Sequence, residues 1–173
     1  MKYSGTPLFV LILAVYLVAS LACTSALAAE ANANETRVAP PWTLTDTNGK
    51  KLAFSPVDDA GHRVLFFWAT WCPYCKALMP HLERFRAARQ AENFDFYALN
   101  IWEEGDAEAY TASTGFNFRL FLDADAVAKS YGIKGTPGLL LVNNRNEVLY
   151  ERRSGTPPEQ VITDLEFLLN NQR

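Results

Sequence analysis

Apolar and polar positions alternate with the two-residue period of β-strands in the segment that follows residue 41. The alternation lies on both sides of Asn48-Gly49, a dipeptide that suits a tight turn with positive φ, and it therefore predicts a β-hairpin. The apolar positions of this hairpin are Trp42, Leu44, Leu52 and Phe54. The next apolar segment, residues 64–68, is continuous, which predicts a strand buried on both faces of a sheet.

The pattern then changes from that of a strand to that of a helix. Apolar residues recur at spacings of four, three and three, which predicts an amphipathic helix that extends to about residue 91. These residues are Leu78, Leu82, Phe85 and Ala88. Residues 94–101 then predict a second buried strand. A strand, a helix and a strand in this order indicate a βαβ unit with a right-handed crossover.

Shorter elements fill the second half of the chain. Residues 107–114 and 124–131 have helical patterns, and residues 118–122 predict a short strand between them. Residues 139–142 and 148–152 predict a second hairpin, because the residues that join them favour turns. The joining residues are Asn143, Asn144, Arg145 and Asn146.

The last helix is predicted to open at Thr156. Threonine can cap a helix, proline suits the first helical turn at positions 157 and 158, and Glu159 can return a capping-box hydrogen bond. The core face of this helix is formed by Val161, Leu165, Leu168 and Leu169.

The length and the N-terminus determine the domain organisation. A chain of 173 residues that is 49% hydrophobic can bury one globular core but is too short for two full domains. Residues 8–22 are almost unbroken apolar sequence, Lys2 is the only charge before Glu30, and Ala26-Leu27-Ala28 is a small-residue cleavage pattern. These features predict a signal peptide over residues 1–28.

Two alternatives stay open for this N-terminal segment. The apolar run can be extended to about the ~20 residues that a membrane-spanning helix needs, so it could be retained as an anchor. Cys23 could instead be lipidated, although Ser20 stands where a lipoprotein signal has a leucine-like residue. All three interpretations predict that the rest of the chain lies outside the cytoplasm.

Residues 29–40 lack apolar periodicity and are expected to form a flexible leader before a folded domain at residues 41–173. Loss of residues 1–28 would remove Lys2 and change the formal net charge from −3 to about −4. We therefore do not expect nucleic acid as a partner.

The same cleavage would remove Cys23 and leave Cys72 and Cys75 as the remaining cysteines. A pair so close in sequence stabilises a fold little, since a disulfide acts chiefly by closing a longer loop in the unfolded chain. The pair lies where a buried strand ends and a helix begins, and a helix N-terminus favours anions. We therefore predict that Cys72 is the nucleophilic thiolate and that Cys75, one turn into the helix, is the resolving thiol.

The residues around this pair resemble thioredoxin-fold oxidoreductases. The resemblance lies in the run Trp71-Cys72-Pro73-Tyr74-Cys75, in Pro80, and in Gly135-Thr136-Pro137 before a strand. The signal region, the first hairpin and the elements inserted between residues 100 and 131 resemble the group of TlpA, ResA and CcmG (DsbE). The resemblance implies an α/β thioredoxin fold, in which helices flank a central mixed sheet, with an N-terminal β-hairpin and a helix-strand insertion.

The resemblance also implies a role for residues outside the cysteine motif. In this group a cis-proline loop faces the cysteines and pairs with the backbone of the bound partner, and Pro137 with Thr136 is the matching position. The simpler interpretation is that Thr136-Pro137 merely opens a strand, where proline is tolerated. Trp71 and Tyr74 flank the nucleophile and either form an apolar rim for a protein partner or pack over the motif.

Two positions depart from the pattern of the family. Cytochrome-maturation members usually carry a glutamate three residues after the second cysteine, where this chain has Leu78, and thioredoxin carries a buried aspartate where this chain has Phe66. Both residues continue the predicted core of their element. Another carboxylate or water would then have to accept the proton of the buried thiol.

Three other interpretations stay open, two for individual residues and one for the whole domain. A Cys-x-x-Cys pair is half of a zinc site that His62 and His81 could complete, but a turn position for His62 and a helix-surface position for His81 are simpler. Trp102, Glu103 and Glu104 either form an acidic lip near the site or belong to an ordinary solvated loop. The domain could also be a tethered binding module or metallochaperone without turnover.

The sequence therefore predicts a thiol:disulfide oxidoreductase that exchanges the Cys72/Cys75 dithiol with protein substrates outside the cytoplasm. We expect a reductase, in which cytochrome c maturation is one possible role, with a disulfide oxidase or isomerase as the alternative. The expected reduction potential is roughly −270 to −180 mV. No cofactor or metal is expected; the expected partners are protein thiols and a membrane electron donor, and the expected state is a monomer.

Overall fold

The computed structural model describes residues 37–56, 61–89, 92 and 94–171. The predicted signal peptide and residues 29–36 of the predicted leader lie outside the described residues. The strands are β1 (Trp42–Thr45), β2 (Lys51–Phe54), β3 (His62–Trp68), β4 (Phe94–Asn100), β5 (Arg119–Phe121), β6 (Gly138–Val142) and β7 (Val148–Glu151). The helices are α1 (Pro73–Ala88), α2 (Ala107–Thr114), α3 (Asp125–Ser130) and α4 (Pro158–Asn171). None of the helices within the described residues has the length and apolarity to span a membrane.

A five-stranded mixed sheet forms the centre of the fold, in the strand order β5-β4-β3-β6-β7. Strand β3 pairs with β4 in parallel and with β6 in antiparallel orientation, so it lies in the middle of the sheet. Its residues from 63 to 68 are all buried, as the continuous apolar run predicts. The parallel pairing and α1 between β3 and β4 form the predicted βαβ unit.

Two hydrophobic clusters divide the residues of β3 by the alternation of the strand. Val64, Phe66 and Trp68 belong to the cluster that also contains the buried face of α1 and three residues of α4. Leu65 and Phe67 belong to the cluster on the other face, which contains the hairpin and α3. The sheet is thus covered on both faces, and α1 packs beside α4.

The first hairpin is confirmed with the register that its alternation predicts. Trp42 lies opposite Phe54, and the two rings stack with their centroids 5.0 Å apart. Gly49 has a φ of 77°, so the turn needs the left-handed conformation that glycine adopts without penalty. The hairpin forms a separate two-stranded sheet, and an isolated bridge between Asp46 and Phe121 connects it to β5.

Residues 37–40, which the sequence analysis assigns to the flexible leader, lie against the sheet instead. Val38 forms a bridge with Glu147, and the amide of Ala39 donates to the carbonyl of Asn146 at 2.7 Å. Arg37 forms an ion pair with Glu151. These contacts join residues far apart in sequence, so a search for local periodicity does not detect them.

Three local predictions need correction. Helix α1 ends at Ala88 rather than near residue 91. Helix α4 begins at Pro158 rather than directly after Thr156, whose hydroxyl donates to the carbonyl of Arg153 within the preceding turn. His62, which was expected in a turn, is the first residue of β3.

Candidate functional site

Cys72 lies at the junction between the central strand and helix α1. It is the N-cap residue of α1, with extended backbone dihedrals, and Pro73 occupies the first helical position. The Sγ of Cys72 accepts a hydrogen bond from the backbone N–H of Cys75 at 3.1 Å. This donor is one of the N–H groups that a helix leaves unpaired at its start, so the sulfur takes the position of a capping oxygen.

Cys72 and Cys75 form a disulfide, with their Cα atoms 5.3 Å apart. Cys75 is fully buried and Cys72 has 2% of its surface exposed, so burial hardly separates them. Their place in the helix does, because Cys72 caps α1 and Cys75 lies in its first turn. The disulfide therefore joins a sulfur that caps α1 to a sulfur that lies inside the helix.

Apolar side chains surround the inner cysteine. Leu78 and Phe66, the positions where the resemblance led us to expect acids, are buried in the same cluster as Cys75. Trp68 stacks at 6.5 Å from Phe66 and belongs to the same cluster. Both departures from the family pattern therefore read as core positions, as predicted.

Exposed aromatic residues border the cysteines. Trp71 is 47% exposed and Tyr74 is 72% exposed. The indole N–H of Trp71 donates to the carbonyl of Trp102 at 2.6 Å, and Trp102 is itself 39% exposed. The structure thus places Trp102 beside Trp71, which agrees with the alternative that residues 102–104 lie near the site.

The Thr136-Pro137 peptide bond is cis, and β6 begins directly after it. Gly138 pairs with Phe67 in β3, which brings the proline loop next to the end of the strand that leads to the cysteines. A Cβ atom on Gly138 would lie 3.2 Å from Cβ of Phe67 and from Ile133, so a larger residue would have to displace these neighbours by a few tenths of an ångström. No local pattern in the sequence marks this glycine.

A groove of about 390 Å³ connects the proline loop with helix α1. Its lining includes Tyr74, Ala77, Leu78, Thr136, Pro137 and Arg152. The guanidinium of Arg152 donates to the carbonyl of Pro137 at 3.3 Å and to that of Thr156 at 2.8 Å. Tyr74, Thr136 and Pro137, which the sequence proposed for substrate binding, therefore share one groove, whereas Trp71 does not line it.

Glu103 lies near the site, as one of the two alternatives expected, because its carboxylate is bonded to Thr70, two residues before Cys72. Its side chain is half-buried and accepts hydrogen bonds from the amide of Thr70 at 2.9 Å and from the Asn100 side chain at 2.6 Å. It also accepts from the Thr70 hydroxyl and from the amides of Glu104 and Gly105. The sequence missed this role, because Thr70 is far from Glu103 along the chain.

The surroundings of Glu103 keep its carboxylate ionised. Burial raises the pKa of Glu103, but the hydrogen bonds from Thr70, Asn100 and Gly105 outweigh burial and lower the pKa to about 2. A carboxylate with so low a pKa is a poor proton acceptor at neutral pH. Glu103 is therefore unsuited to replace the missing acid as a base for the inner thiol.

The two histidines lie in different places. His62 begins β3, where burial lowers its pKa although the charge of Glu92 raises it. His81 lies on α1, half-buried, with its Nε2 3.6 Å from an oxygen of Glu159 on α4. Within the described residues, no group of three or more Cys, His, Asp or Glu side chains could hold a metal ion.

Residues 36–151 match the AhpC/TSA family. The thiol-disulfide oxidoreductase ResA of Bacillus subtilis (strain 168) is 32% identical over 128 residues, which cover 73% of this chain and 70% of that protein. ResA of Halalkalibacterium halodurans is 26% identical over 129 residues, with 73% of each chain covered.

Solved structures agree with these relatives. A putative thiol:disulfide interchange protein DsbE from Chlorobium tepidum superposes with a TM-score of 0.67 at 25% identity, over 79% of this chain and 98% of that one. StoA from Bacillus subtilis superposes with a TM-score of 0.60 at 21% identity, over 74% and 98%, and supports the fold alone. The mixed sheet, its flanking helices and the N-terminal hairpin thus form the expected thioredoxin fold. The chain belongs to the AhpC/TSA family and is a thiol-disulfide oxidoreductase of the ResA and DsbE type.

Proposed function

We propose that Cys72 and Cys75 carry the exchange reaction and that the protein reduces disulfides in protein substrates. The thiolate of Cys72 attacks one sulfur of the substrate disulfide, which forms a mixed disulfide and releases the other substrate sulfur as a thiolate. Cys75 then loses its proton and attacks the Sγ of Cys72, which releases the second substrate sulfur. Two electrons pass to the substrate, and the Cys72–Cys75 disulfide remains.

The observation that carries this assignment is the position of the Cys72 sulfur at the N-terminus of α1. It accepts from the amide of Cys75, and the helix dipole favours a negative charge at this place. A thiolate stabilised in this way is available as the nucleophile of the first step, and in the second step the same sulfur is the one that Cys75 attacks while the substrate sulfur leaves. Cys75 has the resolving role because it lies inside the first turn of α1, within reach of the Cys72 sulfur.

Four residues are proposed to bind the substrate. The backbone of Thr136 and Pro137 aligns the segment that carries the substrate disulfide, since both residues line the groove that reaches Tyr74. Trp71 and Tyr74 supply exposed aromatic surface on either side of Cys72, and aromatic side chains are frequent anchors in protein interfaces. Because apolar residues surround Cys75, water that enters the groove is proposed to accept its proton.

The proposed location is outside the cytoplasm. The apolar run over residues 8–22 and the small residues that follow support export, either with cleavage or with retention as a membrane anchor. After each turnover the disulfide has to be reduced again, for which we propose a membrane electron donor. The ResA relatives and the DsbE neighbour support thiol-disulfide exchange as the reaction, and we propose reduction as its direction and cytochrome c maturation as its pathway.

Insulin reduction and trapping of mixed disulfides test the two cysteine roles. We expect Cys72→Ser to abolish insulin reduction and Cys75→Ser to capture substrates as stable mixed disulfides, because the resolving step is lost. The double variant is the control, and it should capture nothing. If Cys72→Ser captures substrates and Cys75→Ser does not, the two roles are reversed.

The equilibrium potential of the pair, titrated against glutathione or dithiothreitol, tests the direction. A value near or below about −250 mV supports a reductase, whereas a value above about −180 mV would make the protein an oxidase or isomerase.

A further inference from the structure

The loop that carries Cys72 from β3 to α1 is held from one side by the loop that follows β4. The amide and the hydroxyl of Thr70 both donate to the carboxylate of Glu103. The next side chain, Trp71, donates to the carbonyl of Trp102. The two residues directly before Cys72 are therefore both attached to residues 102–103.

The carboxylate of Glu103 is surrounded by donors on both of its oxygens. Oε2 accepts from the amide of Thr70 and from the Asn100 side chain. Oε1 accepts from the Thr70 hydroxyl and from the amides of Glu104 and Gly105. A glutamine amide would direct an NH₂ group at two or three donors in either orientation, so glutamine cannot reproduce this set of bonds.

Close packing around Thr70 leaves little freedom for the loop. A Cβ atom on Gly105 would lie 2.6 Å from the Thr70 hydroxyl oxygen and 3.4 Å from Oε1 of Glu103. The amide of Cys72 donates to the carbonyl of Ala69 at 3.2 Å, which completes a tight turn on the path to the helix. The conformation of this turn determines where the Cys72 sulfur lies relative to the first amides of α1.

We propose that Glu103 is a positioning residue, whose carboxylate fixes the Thr70–Cys72 turn and so holds the Cys72 sulfur at the N-terminus of α1. The proposal deepens the function proposed above and rests on it. Glu103 takes no part in bond making or proton transfer. Its effect on the reaction is carried by Thr70 to the position of the Cys72 sulfur.

Glu103→Gln separates this role from a simple charge effect by the sign of the result. A misplaced Cys72 sulfur loses the helix N-terminus, so the thiolate becomes less stable and the midpoint of the pH profile of iodoacetamide alkylation moves upward. We expect the alkylation rate at a fixed pH below the midpoint to fall about threefold, and the equilibrium constant for oxidation of glutathione, measured above the midpoint, to fall by a similar factor. Loss of the negative charge alone would move both quantities in the opposite direction.

Two further variants complete the experiment. Thr70→Val keeps the shape and the amide but removes the hydroxyl donor, so we expect a smaller shift in the same direction as Glu103→Gln. Glu104→Gln removes a charge from the adjacent, exposed residue and should leave both readouts unchanged. If circular dichroism shows that Glu103→Gln does not fold, the alkylation profile and the glutathione equilibrium of Thr70→Val test the proposal instead.

The outcomes distinguish this inference from the proposed function. If the wild-type protein reduces insulin but Glu103→Gln and Thr70→Val keep its alkylation profile and glutathione equilibrium, Glu103 has no positioning role. A downward shift in Glu103→Gln, matched by Glu104→Gln, would also overturn the inference in favour of charge. If the wild-type protein itself reduces no disulfide, the proposed function fails instead.

Discussion

Leu78 occupies the position where the resemblance implied a glutamate, and its side chain borders both the core and the groove. It is 1% exposed and belongs to the core cluster of Cys75, yet it also contributes to the wall of the groove beside Pro137. A carboxylate at this position could therefore face water in the groove while it stays close to the inner cysteine. The departure from the family is thus open to a direct test.

We predict that Leu78→Glu speeds the resolving step and destabilises the fold. The new carboxylate would accept the proton of Cys75, whereas loss of the buried leucine and burial of a polar group should cost about 1–3 kcal/mol of unfolding free energy. Stopped-flow decay of a mixed disulfide and urea unfolding measure the two effects. Ala77→Glu places the same charge on the groove wall from an exposed position and serves as the control. Equal acceleration by both variants would attribute the effect to charge in the groove rather than to a base near Cys75.

The pairing between β3 and β6 determines how closely the proline loop approaches the cysteine motif. Gly138 lies opposite Phe67, and an added Cβ would contact both Phe67 and Ile133 at 3.2 Å. These neighbours are buried or half-buried in a packed core, so they can move little. A larger residue at the start of β6 would therefore push against Phe67 and Ile133 and shift the adjacent Pro137.

We predict that Gly138→Ala lowers the free energy of unfolding by about 1–3 kcal/mol, because it overpacks this contact. It should also lower kcat/KM for insulin, since the proline loop is displaced from the cysteines. Gly135→Ala is the matched control, because a Cβ there meets nothing within 4 Å and should change stability by less than ~0.5 kcal/mol. Wild-type stability in Gly138→Ala would show that the strand pair tolerates the extra atom.

At the scale of the elements, local patterns predicted nearly all of the helices and strands. Alternation around Asn48-Gly49 gave the first hairpin, and the apolar stripe gave α1, since both signals lie within one element. Residues 37–40 were misjudged and the bonds of Glu103 were not predicted, because their partners lie in and just before β7 and in the loop before α1. Contacts between distant segments leave no periodic signal in a single sequence.

For the whole molecule, carboxylates tied to distant segments determine how stability depends on pH. Although burial raises the pKa of Asp46, hydrogen bonds from Arg119 and Lys50 outweigh it and lower the pKa below its usual value. Asp46 thereby joins the hairpin to β5. Glu103 in the same way joins the loop after β4 to the loop between β3 and α1. A lowered pKa in the folded state stabilises the fold above the ordinary pKa of the acid, and this contribution is lost as the pH falls toward the folded value.

We therefore predict that the urea midpoint falls as the pH decreases from about 4.5 toward 2, the range spanned by the ordinary and the folded pKa of Glu103. Asp46→Asn should be less stable than the wild type at pH 7, and the difference should shrink as the pH falls through the acid range. Glu166→Gln changes an exposed residue of α4 and should follow the wild-type curve. A difference between Asp46→Asn and the wild type that stays constant down to pH 2 would contradict the role of ionised Asp46.

The redox state of the cysteine pair and the stability of the whole fold are linked by one thermodynamic cycle. The difference in unfolding free energy between the oxidised and reduced protein equals the difference in redox free energy between the unfolded and folded pair, where 30 mV corresponds to about 1.4 kcal/mol. A folded pair with a more negative potential than the unfolded chain therefore makes the oxidised protein the more stable one. The proposed reductase requires this sign, because it must release its electrons readily.

We predict that the unfolding free energy of the oxidised protein exceeds that of the reduced protein by on the order of 1–3 kcal/mol. The oxidised protein should therefore unfold at a higher urea concentration. Parallel titrations with and without dithiothreitol measure the difference, and the variant with serine at both positions 72 and 75 should not respond to the reductant. Burial of Cys75 among apolar residues favours this sign, because it offers no stabilisation to a second thiolate. A more stable reduced protein would mean that the helix N-terminus stabilises the Cys72 thiolate beyond what a reductase allows, and the protein would then oxidise its substrates.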